Sequence, residues 1–305
     1  MRLVTHLLLA VAMTVSRAIL RFDRVTMRFD DRAVLDNVTL TAEPGETKVI
    51  YGAAGSGKTM LMKAGIGLVP TDGGNVMLLG KEITNLDEKQ LFPLRRNVGV
   101  LFQEGGLFDS LTVEENVSYP LLYQPDQKPS RSEIEERVKE ALTFVGLADT
   151  MAKYPSELSG GMRRRVGIAR AAVTKPPLML YDSPTAGLDP VTAFVIMSLA
   201  LRQRDSENTT LFVITHRYQD GKLLANYRFD PESQKIVRSP DKSSITRFVV
   251  LRDGRIVFEG SEAELLASSD PYVSSFSGRA SRSRLTHAED DLPEHVAGGE
   301  SLVRL

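Results

Sequence analysis

Thr47-Lys48-Val49-Ile50-Tyr51, followed by Gly52-Ala53-Ala54-Gly55-Ser56-Gly57-Lys58-Thr59, decides the fold of this chain. The first five residues make a short apolar run of strand length. The next eight match the P-loop pattern, in which spaced glycines precede Lys and Ser or Thr. Lys58 to Ile66 then reads as helix, so the stretch is a strand, loop, helix unit. Glycines let backbone N–H groups converge on phosphate oxygens, and the positive end of the following helix strengthens the field there. Lys58 is placed to neutralise the β and γ phosphates, and the Thr59 hydroxyl to ligate Mg²⁺. Gly52, Ala53, Ala54, Gly55, Ser56, Gly57, Lys58, Thr59 and Met60 are therefore the candidate ATP-binding loop.

Outward from the loop, Leu178 to Tyr181 and Leu211 to Thr215 are short, almost fully apolar runs with helix expected between Val191 and Arg204. Buried parallel strands read this way. Asp182 ends the first run, where a strand's carboxyl end opens on a ligand crevice, and is suited to hold Mg²⁺; helix capping is the plainer role for an aspartate there. Ile19 to Phe29 and Val34 to Leu40 mix apolar and polar residues at near two-residue spacing and read as antiparallel strands. Val76 to Leu79 and Val98 to Phe102 add strands. Glu133 to Val145 sets Ile134, Val138, Ala141, Leu142 and Val145 on one helical face. Phe248 to Leu251 and Ile256 to Phe258 flank Asp253-Gly254, a tight hairpin turn. The expected fold class is α/β: a mostly parallel, P-loop-type sheet with an antiparallel β subdomain and a helical subdomain.

Composition narrows the function. A chain of 305 residues with 42% hydrophobic content can bury one large core. The formal net charge of -1 removes the basic face that non-specific nucleic-acid binding needs, so no nucleic acid is expected as partner. There is no cysteine, and only His6, His216, His287 and His295 offer imidazole, so zinc chemistry is not expected. Arg2 with the apolar run Leu7 to Val15 has the look of a signal-peptide front, but the run is too short to span a bilayer and no clean cleavage site follows. A start at Met13, or a short apolar helix lying on a neighbour or membrane, are the other readings.

Leu158-Ser159-Gly160-Gly161-Met162, shortly ahead of Leu178-Met179-Leu180-Tyr181-Asp182-Ser183-Pro184-Thr185-Ala186-Gly187-Leu188-Asp189, resembles the ATP-binding cassette (ABC) family of ATPases. The resemblance covers roughly residues 19 to 261. It implies a P-loop ABC nucleotide-binding domain using ATP and Mg²⁺, with Thr59, Gln103 and Asp182 at the metal and Phe29 stacking on adenine. A buried core role for Phe29 stays open. It also implies that Ser159, Gly160, Gly161 and Met162 grip ATP bound to a second copy, with Asp189 at the dimer contact. A simple helix cap is the other role for Ser159. His216 matches the histidine that contacts the γ-phosphate. The family normally has glutamate where this chain has Ser183, and that glutamate polarises the attacking water. Serine at pH 7 cannot act as that base, so the catalytic group is reduced to His216 and Gln103, with Ser183 of doubtful use. Two outcomes remain: slow hydrolysis, or an ATP-gated clamp with almost no turnover.

Leu101-Phe102-Gln103-Glu104-Gly105-Gly106-Leu107-Phe108-Asp109-Ser110-Leu111-Thr112-Val113 and Glu115-Asn116-Val117-Ser118-Tyr119-Pro120-Leu121 are similar to the ATPase subunits of Mla-type transporters, which work with MCE-domain proteins. That similarity implies a homodimer, a separate transmembrane permease, an MCE-domain lipid-binding partner, and phospholipid or another hydrophobic cargo. It places the chain on the cytoplasmic face of the bacterial inner membrane. Leu107 and Phe108 would lie near the groove that receives a permease helix; burial in the helical subdomain is the alternative. Arg163, Arg164 and Arg165 read as an ordinary solvated or interface face. The expected organisation is an N-terminal apolar segment over 1–18 and an ABC domain over 19–262. Within that domain lie a helical subdomain near 104–165 and an insertion near 227–246, whose centre Asp230-Pro231-Glu232-Ser233 would turn a small hairpin. A tail over 263–305 would be disordered from about 277.

Overall fold

The computed structural model describes residues 18–30, 32–123, 129–239 and 245–277. The readings of the N-terminal apolar segment and of disorder beyond 277 lie outside them.

Three sheets order the chain. β1 (Leu20–Phe29) pairs antiparallel with β2 (Arg32–Ala42) and with β4 (Gly73–Leu78), and β5 (Lys81–Glu82) completes an antiparallel sheet in the order β2-β1-β4-β5. β3 (Thr47–Tyr51), β6 (Val98–Leu101), β7 (Leu178–Asp182), β8 (Thr210–Ile214), β11 (Thr246–Arg252) and β12 (Arg255–Gly260) form a second sheet in the order β12-β11-β3-β8-β7-β6. Five of these strands run parallel and β12 alone is antiparallel, turned by Asp253 and Gly254, both at positive φ. β9 (Tyr227–Asp230) and β10 (Lys235–Arg238) make a separate hairpin.

The continuous apolar runs have a direct physical cause. Val49, Met179, Tyr181, Leu211, Val213, Phe248 and Val250 point into one core, while Ile50, Leu178, Leu180, Phe212, Ile214, Val249 and Leu251 point into another. Successive residues of a strand face opposite sides, so a sheet covered on both faces needs apolar residues at every position. The antiparallel sheet and helix α1 (Lys58–Gly65) close the second core. After α2 (Glu88–Arg95), helices α3 (Val113–Leu122), α4 (Arg131–Phe144), α5 (Gly160–Ala172) and α6 (Pro190–Glu207) contribute to the first. In α4, Val138 and Leu142 are buried, with Ile134 and Ala141 packed at the edge. Thr112 and Ser130 start α3 and α4 as capping boxes with Glu115 and Glu133.

Helix α7 (Tyr218–Asn226) leads into the β9–β10 hairpin, and a buried ion pair fixes that junction. Arg204 donates to Asp205 Oδ1 at 2.6 Å, to the Leu224 carbonyl at 2.8 Å and to the Tyr227 carbonyl at 3.1 Å. Asp205 in turn accepts from Phe229 N at 2.7 Å. Replacing Arg204 with Met strips two main-chain carbonyls and a carboxylate of their donor. Breaking a buried pair on one side costs about 3–5 kcal/mol; because Asp205 keeps some solvent contact, the expected loss is at the low end, about 3 kcal/mol. Guanidinium unfolding of Arg204→Met checks this, and a loss under about 0.5 kcal/mol, the range of an unconstrained surface change, would show that the pair does not hold the junction.

Candidate functional site

The carboxyl ends of β6, β7, β8 and β3 are adjacent in the parallel sheet, and they deliver Gln103, Asp182, His216 and the 52–59 loop to one edge. Lys58 Nζ donates to the carbonyls of Gly52 at 2.8 Å and Ala53 at 2.7 Å and to Ser56 Oγ at 3.3 Å. Its ammonium is thus held inside its own loop. Burial pushes the Lys58 pKa below the ordinary lysine value, against the opposing pull of Asp182. Gly52, at φ 153°, allows the close approach: a Cβ there would sit 2.5 Å from the Leu251 carbonyl and from Ser56 Oγ. Helix α1 starts at Lys58 with no acidic residue in its first turn, so nothing of like charge competes with an anion at its positive end.

Thr59 Oγ1 donates to Asp182 Oδ2 at 2.9 Å, joining the loop to the end of β7. Ser183 Oγ donates to the other oxygen, Asp182 Oδ1, at 3.2 Å. Ser183 is buried in a left-handed conformation, φ 52°, and its N–H donates to the Ile214 carbonyl at 2.8 Å. The helix-capping reading of Asp182 does not hold, because both its oxygens face these hydroxyls. A hydroxyl and one carboxylate suit Mg²⁺, which is usually held by one or two carboxylates with substrate phosphates rather than by an all-protein cage. Among the described residues no cluster of three or more His, Asp or Glu competes as a metal site.

His216 lies exposed just past β8. Partial desolvation and the Lys58 charge push its pKa below the usual imidazole value, while Asp182 and a hydrogen bond to the Gly52 backbone pull the other way. Gln103 is exposed at the start of a 3-10 turn after β6. Phe29 ends β1 at 52% exposure, which removes the buried-core reading and leaves the ring open to stack.

Sequence reasoning passed over a support beneath this edge. Asp220, four residues after His216, is buried and accepts at one oxygen from both Thr185 Oγ1 at 2.5 Å and Thr215 Oγ1 at 2.6 Å. Burial raises its pKa. It ties the segment after Ser183 to the residue before His216. A lone acidic residue in a helix carries no pattern that announces this.

Ser159, Gly160, Gly161 and Met162 open α5, and Ser159 Oγ accepts from Met162 N at 3.2 Å. Asp189 caps α6, accepting from Thr192 N at 2.9 Å, and hydrogen bonds from Thr192 hold its carboxyl below the usual range. The two starts touch, since a Cβ on Gly161 would lie 2.6 Å from Thr192 Cγ2. These residues form a second group, separate from the loop cluster. The solvated reading of the following arginines is corrected. Arg164 is buried, while Arg163 and Arg165 are half-buried and donate to the carbonyls of Leu158 at 2.8 Å and Val145 at 3.0 Å. Their long stems pack into the helical layer. Leu107 packs against the core and Phe108 is exposed beside Tyr119 and Arg170.

Residues 35–186 match the family described as ABC transporter. Over 283 residues the chain is 36% identical to the methionine import ATP-binding protein MetN of Rhizobium johnstonii, covering 93% of this chain and 70% of the relative. It is 36% identical over 200 residues to the probable ribonucleotide transport ATP-binding protein mkl of Mycobacterium tuberculosis, covering 66% of this chain and only 55% of the relative. Among solved structures, the dimeric ATP-binding cassette MJ0796, in a post-hydrolysis state bound to ADP and Pi, superposes with a TM-score of 0.68 at 29% identity, covering 79% of this chain and 98% of that one.

The charges at the loop predict a titration. By NMR, His216 should titrate below about 6.5, the unperturbed imidazole value, and Lys58→Ala should move its midpoint upward by removing a nearby positive charge. A depressed folded pKa contributes stability that is present above the unfolded pKa and is lost as pH falls through the folded one. An unmoved midpoint in Lys58→Ala would contradict the coupling between the two groups.

Proposed function

The chain belongs to the ABC transporter family of ATP-binding proteins, and we propose that it is the ATP-driven subunit of a membrane transporter, turning over slowly because Ser183 stands where a general base is expected. The observation that carries this reading is the Asp182 carboxylate, held by Thr59 from the phosphate loop and by Ser183 from its own strand end.

In this reading the loop N–H groups from Gly55 to Met60 and the Lys58 ammonium bind the phosphates, exchanging Lys58's loop carbonyls for phosphate oxygens. Thr59 and Asp182, joined by Gln103, would hold Mg²⁺. Magnesium, when bound, neutralises charge on the β and γ phosphate oxygens. Phe29 stacks on adenine. Ser159, Gly160, Gly161 and Met162 of a second copy face the γ-phosphate, so two chains close head to tail with Asp189 at the contact. The Ser159 hydroxyl then shares its present partner, Met162 N, with the incoming phosphate.

The water is positioned by His216 and Gln103. Ser183 cannot remove its proton, and its hydroxyl is turned to Asp182. Positioning and charge stabilisation supply most of the acceleration in phosphoryl transfer, while a general base adds about 10²–10⁴-fold. Loss of the base therefore slows hydrolysis without abolishing the binding cycle. A clamp that binds ATP and closes with almost no turnover is the second reading, because Ser183 offers no base to the water.

Among the described residues no helix is long and apolar enough to cross a membrane. A separate transmembrane permease, with this chain at the cytoplasmic face of the inner membrane, is part of the proposal. For the cargo, the 101–121 segment supports an Mla-type complex with an MCE-domain partner and a phospholipid, whereas the relatives carry the names of methionine and ribonucleotide transport. Stimulation of the purified complex by methionine, a ribonucleotide or phospholipid separates these, and stimulation by methionine alone ends the lipid reading.

Mg-ATP turnover by the subunit assembled with its permease tests the mechanism. Wild type should exceed the Lys58→Ala background, and Ser183→Glu should exceed wild type by about 10²-fold or more, the range a general base supplies. Wild type equal to the Lys58→Ala background, with Ser183→Glu active, would make the native protein a clamp.

A further inference from the structure

The C-terminal part of the described chain reaches back to the start of the phosphate loop. Helix α8 (Glu262–Ala267) and the short helix α9 (Pro271–Ser274) follow β12. From α9, the Tyr272 hydroxyl accepts from Ala53 N at 3.0 Å and donates to the Leu251 carbonyl at 2.9 Å. Ala53 is the second residue of the loop. Its carbonyl takes one of the Lys58 hydrogen bonds, and the neighbouring Gly52 supplies both a second one and the backbone partner of His216. The Ala53 residue is thus gripped on both sides, by tyrosine at its N–H and by lysine at its carbonyl.

Tyr272 is itself fixed in place. Asp270 Oδ1 accepts from Tyr272 N at 2.7 Å and from Val273 N at 3.2 Å, and Val273 is buried. The Arg252 guanidinium covers the Tyr272 ring, with 5.1 Å to its centroid, and Phe276 meets the ring edge-on at 5.2 Å while stacking on Tyr51 at 5.9 Å. Tyr51 is the strand residue immediately before Gly52. At the other end, Glu262 accepts from Tyr218 Oη and from Asn226 Nδ2, both at 2.6 Å, which ties the same segment to the helix that follows His216. The segment therefore touches both flanks of the site: the loop through Tyr272 and the His216 side through Glu262.

We propose that residues 261–277 are a strap in which Tyr272 is a positioning residue for the phosphate loop, holding Gly52 and Ala53 so that Lys58 and the loop N–H groups are pre-set for ATP phosphates. Pre-organisation of this kind improves affinity by removing the cost of ordering the loop on binding. The inference rests on the nucleotide-site reading above.

The test is Mg-AMP-PNP binding by calorimetry to the full chain, in wild type, Tyr272→Phe, Lys58→Ala and Arg204→Met, with thermal unfolding of each. Tyr272→Phe keeps the ring and removes only the hydroxyl, so it should bind about three- to tenfold more weakly, the size of one ordinary hydrogen bond, with its thermal midpoint lowered by no more than about 2–4 °C. Arg204→Met, whose partners are Asp205, Leu224 and Tyr227, should lose more stability while keeping wild-type affinity. Equal affinity of Tyr272→Phe and wild type would overturn the strap. An equal loss of affinity in Arg204→Met would overturn it too, by reducing Tyr272 to a general stability contact. Wild type binding no better than Lys58→Ala would instead overturn the nucleotide-site reading, and the strap with it.

Discussion

The hydrogen bond from the Thr59 hydroxyl to Asp182 is the constraint around which the site is arranged. Thr59 follows β3 and Asp182 ends β7, with β8 between them in the sheet. The two side chains can meet only if all three strands are parallel and end at the same level. The register meets that demand, since Ile50 pairs with Ile214 and Ile214 with Asp182. A slip would move Asp182 off the loop and turn each strand's side chains toward the opposite core. His216 then arrives at the same edge because β8 is the strand in the middle.

Ser183 adds a local constraint to that frame. Left-handed backbone at a non-glycine residue is uncommon and is held by its surroundings. Here the Ser183 N–H is fixed to Ile214, its hydroxyl to Asp182, and the following turn through Thr185 to the buried Asp220. Asp220 also holds Thr215, so one carboxylate oxygen sets the spacing between the Ser183 turn and the His216 strand end. The backbone at position 183 is thus fixed on both sides, and its side chain hydrogen-bonds the Asp182 carboxylate.

Much of this was legible in the residues. Apolar runs without alternation marked the buried parallel strands, the glycine spacing marked the loop, and Asp253-Gly254 marked the hairpin turn. Asp182 was readable as a candidate for the site because it ends such a run. Other features depend on contacts between segments far apart in the chain. Arg163, Arg164 and Arg165 look solvent-facing as a charge run, yet carbonyls at Val145 and Leu158 and the helical layer absorb them. Tyr272 lies 219 residues from Ala53, and nothing in its neighbourhood distinguishes it from an ordinary tail tyrosine. The double role of Ser159, as cap and as candidate phosphate contact, was also open in the sequence, and the single chain shows the cap.

The account stands on Asp182 and Thr59 forming a metal position beside the phosphate loop. Equilibrium binding of ATP, measured with magnesium and with chelator for wild type and Asp182→Asn, tests that claim most directly. Magnesium should strengthen ATP binding to wild type and have little effect on Asp182→Asn. An equal gain from magnesium in both proteins would contradict the account, because the metal would then be held without the carboxylate on which the site is built.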